Sequence, residues 1–390
     1  MKKIQAVVIE LGIGGLSIVR SLGAKDIPII GIDNNKAHYG TYSKYITNFI
    51  NSAIDDRLIE LLLGIGRTLP NKSVLFPTSD YVVELISKNR KVLEKYYYIN
   101  IPNHYMLSTF LKKEPFYKYS ISKNLPIPLT YFSKSKNDLV NISNEISFPI
   151  VVKPNFRDPQ WESMVPHQKK VMFVKNADSL KAIIDQYRIG ECELILQEWI
   201  DGNDDQIYFC QFYINNNQKP LGIFSGKTVS LYPPLTGLYK IALSESLPEL
   251  IEKSIAIFRE AEIYGLCSLE YKYSNKEQKY YITEPTVGRI DMQTSMAMSC
   301  GVNLPYIAYQ DAINEEPRII RKNNIENNIW ICENLVFKEL KVKRILKMQK
   351  VYKNILSHIY SYRFRRPFAI YQTSDVKPFL YFLKKLILNL

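Results

Sequence analysis

Glu270 and Glu284 are the residues whose type and spacing point most directly to chemistry. They flank the polar connection Ser274–Gln278, which joins two runs, 266–273 and 279–283, rich in Tyr, Ile and Leu. A short polar link between such runs predicts a hairpin. With a five-residue loop, Glu270 faces Ile282 and Glu284 lies one diagonal step further along, so both acids project from one face. Carboxylates that close repel unless a cation lies between them, and Mg²⁺ carrying phosphate oxygens is commonly held through one or two carboxylates. A solvated hairpin with scattered acids accounts for the same residues, and the hairpin alone leaves both readings open.

Cationic residues upstream extend the metal reading. Lys153 ends the apolar run SFPIVVKP, where a lysine needs an anion or carboxylate to offset its desolvation. The segment 194–205, LILQEWIDGNDD, predicts an apolar strand followed by backbone able to hydrogen-bond a planar heterocycle. Residues 224–237, FSGKTVSLYPPLTG, predict a loop-rich stretch carrying Lys227, and 248–264 and 291–312 have helical spacing. His38, His104, His167 and His358 show no ligand spacing, and no Ser-His-Asp or Cys-His arrangement is evident. The five cysteines form no CxxC pair, which argues against zinc and a disulfide framework and suits a reducing cytoplasm.

These groups must be positioned by flanking elements. Residues 4–10 predict a buried strand; Lys2 and Lys3 precede it, but Glu10 interrupts the run, so a strand is expected rather than a signal peptide. Gly12-x-Gly14-x-x-Ser17, a second strand over 27–32 and Asp33 complete a βαβ opening of a doubly wound parallel sheet. That loop nearly matches a dinucleotide fingerprint, which leaves an NAD(P)-dependent oxidoreductase as an alternative. A tight strand-to-helix turn in a Rossmann-like domain is preferred, because the chemistry lies further along. Asp80 is expected to cap the helix after the strand at 73–80.

A chain of 390 residues, 46% hydrophobic and 23% charged, suits two or three globular domains. Nearly all of the net charge of +13 lies in residues 318–390, which suggests an acidic partner. The last residues, FLYFLKKLILNL, suit either an amphipathic helix on a membrane surface or a helix packed on the preceding domain. No stretch is apolar enough to span a bilayer, and no nucleic-acid motif is present.

The order of these elements resembles the ATP-grasp superfamily from the N-terminus to about residue 315, most closely its carboxylate–amine ligase branch. The resemblance implies an α/β and α+β chain: a Rossmann-like domain (1–105), a small lobe (106–190), a large lobe (191–317) and a basic extension (318–390). It implies a cytoplasmic enzyme, free or at the inner face of the membrane. Its ligands would be ATP, Mg²⁺ or Mn²⁺, and small carboxylate and amine substrates, with an acyl phosphate between them. Lys113 matches the family's first nucleotide lysine and Lys153 its second. The backbone of Gln197, Glu198, Trp199 and Ile200 would read adenine, and Asp204 would accept the ribose hydroxyls. Glu270, Glu284 and Thr286 would bind metal, Arg289 would lie near the transferred phosphate or acyl oxygen, and Lys227 would reach the γ-phosphate or substrate carboxylate. Two departures stand out: no glycine occurs between Lys153 and Gly190, so Lys169 and Lys170 are expected to replace backbone amides at the phosphates, and Thr286 stands where the family usually has Asn. These leave a non-catalytic ATP-binding relative as a second alternative.

Overall fold

A computed structural model of the chain describes residues 3–154, 172–187, 193–317, 328–344 and 367–388. Three sheets organise it. The first is all parallel, in the order β3-β2-β1-β4-β5, with β1 Ala6–Ile9, β2 Ile29–Asp33, β3 Asn48–Asn51, β4 Ser73–Pro77 and β5 Tyr97–Tyr98. Strands β1, β2 and β4 are buried along their whole length, as continuous apolar runs covered on both faces must be. The helix Ile13–Gly23 follows β1 so closely that a Cβ on Gly15 would lie 2.2 Å from the Glu10 carbonyl oxygen. Only glycine permits that approach.

The second sheet is small and antiparallel, ordered β6-β9-β7-β8: β6 Thr130–Ser133, β7 Ile150–Pro154, β8 Met172–Val174 and β9 Leu194–Glu198. Its own core, with Leu139, Ile150, Val152, Leu180 and Leu196, sits under the helices Lys136–Glu145 and Ala177–Tyr187. The third sheet is ordered β14-β13-β10-β11-β12-β15: β10 Ile207–Ile214, β11 Pro220–Tyr232, β12 Leu238–Ser244, β13 Gly265–Ser274, β14 Lys279–Val287 and β15 Ile329–Ile331. One face packs Cys210 and Phe212 with Phe258 of the helix Pro248–Glu260. The other packs Phe209, Tyr213 and Phe224 with Met296 and Leu304 of the helices Thr294–Ser299 and Leu304–Ala312.

Three expectations are corrected. The loop-rich stretch around Lys227 lies mostly in the long strand β11, where a Cβ on Gly226 would meet the Phe209 ring at 2.7 Å. That glycine serves close packing across the sheet, not a turn. The helical run expected over 291–312 is two helices; the second is opened by Asn303, whose side chain accepts the Tyr306 amide, with Pro305 in its first turn. The C-terminal region is also not an appendage after residue 317, because β15 extends the third sheet and Trp330 is fully buried.

The segment 367–388 closes back on the first sheet. Arg20 donates to Asp375 Oδ2 (3.0 Å) and to the carbonyls of Ile370 (2.7 Å) and Asp375 (2.9 Å). Asp375 also accepts Ser43 Oγ (2.7 Å) and the Lys44 amide (3.0 Å). Beside this pair Tyr42 stacks on Tyr381 of the helix Lys377–Leu388, with ring centroids 3.9 Å apart. Burial pushes Arg20 below its ordinary pKa, but a guanidinium stays charged, so loss of Asp375 strands a buried cation. Asp375→Ala is therefore expected to cost about 3–5 kcal/mol in urea unfolding, and Arg20→Met with Asp375→Leu markedly less.

Candidate active site

The hairpin β13–β14 brings Glu270 and Glu284 directly opposite each other, by a route different from the expected one. The loop has four residues: Ser274 pairs with Lys279 and Tyr271 with Ile282. Continued unbroken, that register would set Glu270 against Thr283 and turn Glu284 to the other face. The register shifts between Glu270 and Tyr271, so Thr283 is the extra residue of a β-bulge and Glu284 moves onto the face of Glu270. Directly paired Cβ atoms lie about 4.5–5.5 Å apart. Glu270 accepts Tyr239 Oη at 2.6 Å and Thr283 Oγ1 at 2.7 Å. Burial, then the charge of Glu270, raises the Tyr239 pKa, so its hydroxyl remains a donor. Among the described residues no group of three or more His, Cys, Asp and Glu forms a metal cage. Two hard carboxylates at a cleft fit an ion that keeps water and phosphate oxygens as its other ligands, which is the habit of Mg²⁺.

Lys153 lies on β7 of the small sheet, and Lys113 opens the helix Lys113–Ser122. Lys153 Nζ donates to Gln197 Oε1 at 2.8 Å, and Gln197 Nε2 donates to Thr130 Oγ1 at 2.9 Å, fixing the amide's orientation. Tyr117 reaches the Gln197 side chain (3.4 Å) and the backbone carbonyl of Thr283 (3.3 Å). Lys153 is thus one residue removed, through Tyr117, from the acid-bearing strand. Lys113 Nζ donates to the Pro154 carbonyl at 2.9 Å, so both lysines converge on the end of β7. Past β9 the amides of Glu198 and Trp199 are taken by the carbonyls of Leu129 (2.9 Å) and Pro149 (3.0 Å). Among the described residues the Ile200 amide donates to no backbone carbonyl, unlike the amides of Glu198 and Trp199.

Other expected residues stand elsewhere. Lys227 pairs in register with Tyr208, and Tyr208 with Tyr271, whereas Glu270 pairs with Phe209. Lys227 therefore occupies the opposite face from the acids and is bound to Glu245 at 2.8 Å. Asp204 accepts the amides of Leu231 and Leu235, each at 2.8 Å, so its carboxylate ties the end of β11 and the β11–β12 connection to the short turn that leads into β10. Thr286 lies on the acid face but is buried and bonded to Asp291. Arg289 donates to Asp80 at 2.5 Å and feels the charges of Asp291 and Glu284. Burial opposes its charge, yet these acids hold its pKa above the ordinary value. Asp80 begins the helix after β4, and the capping oxygen is that of Ser79. Lys169 and Lys170 lie outside the described residues. Tyr117, Tyr239 and Asp291 were not foreseen; only Asp291, two residues past Arg289, had a signal in its position.

At the carboxyl edge of the parallel sheet, Asp33 accepts the Leu11 amide (2.6 Å), the Asn35 amide (2.8 Å) and His38 Nδ1 (2.7 Å). Its carboxylate is engaged within the chain, and Ile290 packs 3.7 Å from where a Gly14 side chain would begin. A dinucleotide pyrophosphate would need the space at that loop, which weighs against the oxidoreductase alternative. The bond to Asp33 raises the His38 pKa, while burial lowers it less. Asp33 is pushed up by burial and, in sum, down by its three hydrogen bonds. Charged His38 thus stabilises the fold fully below its unfolded value, and that contribution is lost as pH rises through the folded value. His38→Asn is expected to lower the urea midpoint at about pH 6 and to change it much less at about pH 9.

No family model matches the chain. A D-aspartate ligase of Enterococcus faecium (strain Aus0004) is 21% identical over 254 residues, spanning 63% of this chain and 60% of that protein's length. N5-carboxyaminoimidazole synthetase from Staphylococcus aureus, solved with ADP, superposes with a TM-score of 0.60 at 13% identity, covering 81% of this chain and 79% of that one. Biotin carboxylase from Campylobacter jejuni, solved as a β-γ-ATP complex, gives 0.62 at 13% identity over 84% and 75% of the two chains. These likenesses show that the chain shares the ATP-grasp fold of those structures.

Proposed function

We propose that the chain is an ATP- and Mg²⁺-dependent ligase that activates a carboxylate as an acyl phosphate and joins it to an amine. The observation that carries this reading is the direct pairing of Glu270 with Glu284 on a face that Tyr117 connects to Lys153. Mg²⁺, when bound, would supply charge neutralisation across the triphosphate of the substrate ATP. Glu270 is oriented for it by Tyr239 and Thr283, and Glu284 lies opposite. Lys153, steered by Gln197, and Lys113 would meet phosphate oxygens, and the Ile200 amide would meet the adenine edge. Arg289, held by Asp80, would steady the oxyanion formed when the amine attacks the acyl phosphate. In this reading positioning and electrostatics do the work, without a nucleophilic side chain. The parallel sheet is read as a Rossmann-like domain that holds part of the substrate. The likeness to a D-aspartate ligase supports an amino acid as one substrate; an amine on a cell-envelope precursor is the acceptor in this reading.

Mg²⁺·ATP should raise the melting temperature of the full chain, and NADH should not. Glu270→Gln or Glu284→Gln should abolish most of that shift. Lys153→Met should weaken nucleotide binding at least about tenfold, the loss of one charge-assisted contact, whereas Lys227→Met should leave it unchanged. Phosphate release that needs both an acid and an amine would confirm ligation; release indifferent to both would overturn it. For the C-terminal region we propose contact with an anionic surface, supported by exposed Leu380, Ile387 and Leu388 beside Lys384. No helix among the described residues is long and apolar enough to cross a membrane. Lys384→Glu should reduce sedimentation with phosphatidylserine vesicles; equal sedimentation would remove the proposal.

A further inference from the structure

The carboxyl edge of the parallel sheet carries one acid that neither the nucleotide reading nor the acid pair uses. Glu10 directly follows β1 and has a φ of +64°, a left-handed conformation that costs a non-glycine residue strain. Several contacts enforce it. Its amide donates to the Ile32 carbonyl at 2.9 Å, its carbonyl accepts Thr78 Oγ1 at 2.9 Å, and that carbonyl lies against Gly15. Ligands of open parallel sheets bind beyond the carboxyl ends of the strands, where this residue stands.

The charges around Glu10 single it out. Asp33 is answered by His38 and two amides, Asp80 by Arg289, and Asp291 by Ser268 at 2.5 Å and by Thr286 and Arg289. Glu10 is bonded by the Ser79 hydroxyl, and its Oε2 is buried without a hydrogen-bond partner among the described residues. Burial raises its pKa and Asp33 adds to that, while the Ser79 hydrogen bond and the charges of His38 and Arg289 act in the opposite sense without cancelling it. A buried carboxylate oxygen with no donor is costly unless a ligand supplies one.

We propose that Glu10 anchors the primary ammonium group of the amine substrate, at a subsite between the edge of the parallel sheet and Arg289, and accepts the proton that the nitrogen must lose before it attacks the acyl carbon and phosphate leaves. A primary ammonium fits because it brings positive charge and several N–H donors to one unpaired oxygen. Arg289, bonded to Asp80 and sensed by both Glu10 and Glu284, then links this subsite to the acid pair. The assignment rests on the ligase reading, because it names the substrate group that the same cleft takes.

The test compares the full-length wild type with Glu10→Gln. The probes are ammonium, methylamine, D- and L-amino acids and lysine-containing dipeptides, each titrated in the presence of Mg²⁺·ADP. At least one primary amine should bind the wild type and lose about tenfold or more in affinity in the variant, the scale of one charge-assisted contact. N-acetylation of that probe should abolish the difference. The variant should keep the melting shift produced by Mg²⁺·ATP, and Glu10→Asp should recover part of the amine affinity. Equal amine affinity in wild type and variant, no amine bound by the wild type, or loss of the nucleotide shift in the variant would each overturn the assignment. Failure of the ligase reading looks different: amines then bind in a Glu10-dependent way, but no acid and amine pair drives phosphate release.

Discussion

Two like charges held face to face on adjacent strands set the terms for the rest of the structure. Nothing in the local preferences of the hairpin favours that arrangement. A bulge at Thr283 forces it, and the bulged residue's own hydroxyl, with Tyr239 from β12, stabilises one of the two carboxylates. The surroundings keep the second acid, Glu284, exposed at the cleft while Glu270 is half-buried beneath it.

Apolar packing brings the other sheets to this hairpin, since one core cluster joins Val7 and Leu75 of the parallel sheet and Ile195 of the small sheet with Tyr271 and Ile282, and polar contacts fix the arrangement. Tyr117 joins the small sheet to the bulge, Arg289 joins the hairpin's exit to the parallel sheet, and Arg20 joins the parallel sheet to the C-terminal segment. Polar contacts of this kind add little net stability, because desolvation offsets most of their attraction. They do add specificity of arrangement, since each misplacement strands a buried donor or acceptor. The small sheet has its own core under two helices, and on its other face Ile195 and Phe132 pack with Tyr280 and Ile282 of the hairpin.

The departures from the expected phosphate-binding pattern fall at particular places. Lys227 and Asp204, which resemblance placed at the nucleotide, are engaged with Glu245 and with two backbone amides, respectively. Thr286 is buried against Asp291, so the oxygen expected to face a metal is already committed within the chain. The proposed chemistry then rests on two acids, two lysines, one guanidinium and the Ile200 amide, which donates to no backbone carbonyl among the described residues. That set suffices for the proposed chemistry, which asks for charge and orientation, not a nucleophile.

By itself the sequence determined the parallel opening, whose uninterrupted apolar runs at β1, β2 and β4 admit little else. It also determined the hairpin with its two acids, the apolar strand ending at Lys153, and the family likeness that orders them. Single-residue decisions were beyond it. Loop length and the Thr283 bulge each turn every later side chain by half a repeat, so the expected common face for Glu270 and Glu284 arose from a register the chain does not adopt. The face of Lys227 followed from pairing with Tyr208, a residue nineteen positions away. Tyr117, Tyr239 and the Arg20–Asp375 pair act across separations of 31 to 355 residues, or between sheets, and carry no local pattern. Period and propensity are properties of neighbouring residues; register and the satisfaction of buried charge are settled only when distant segments meet.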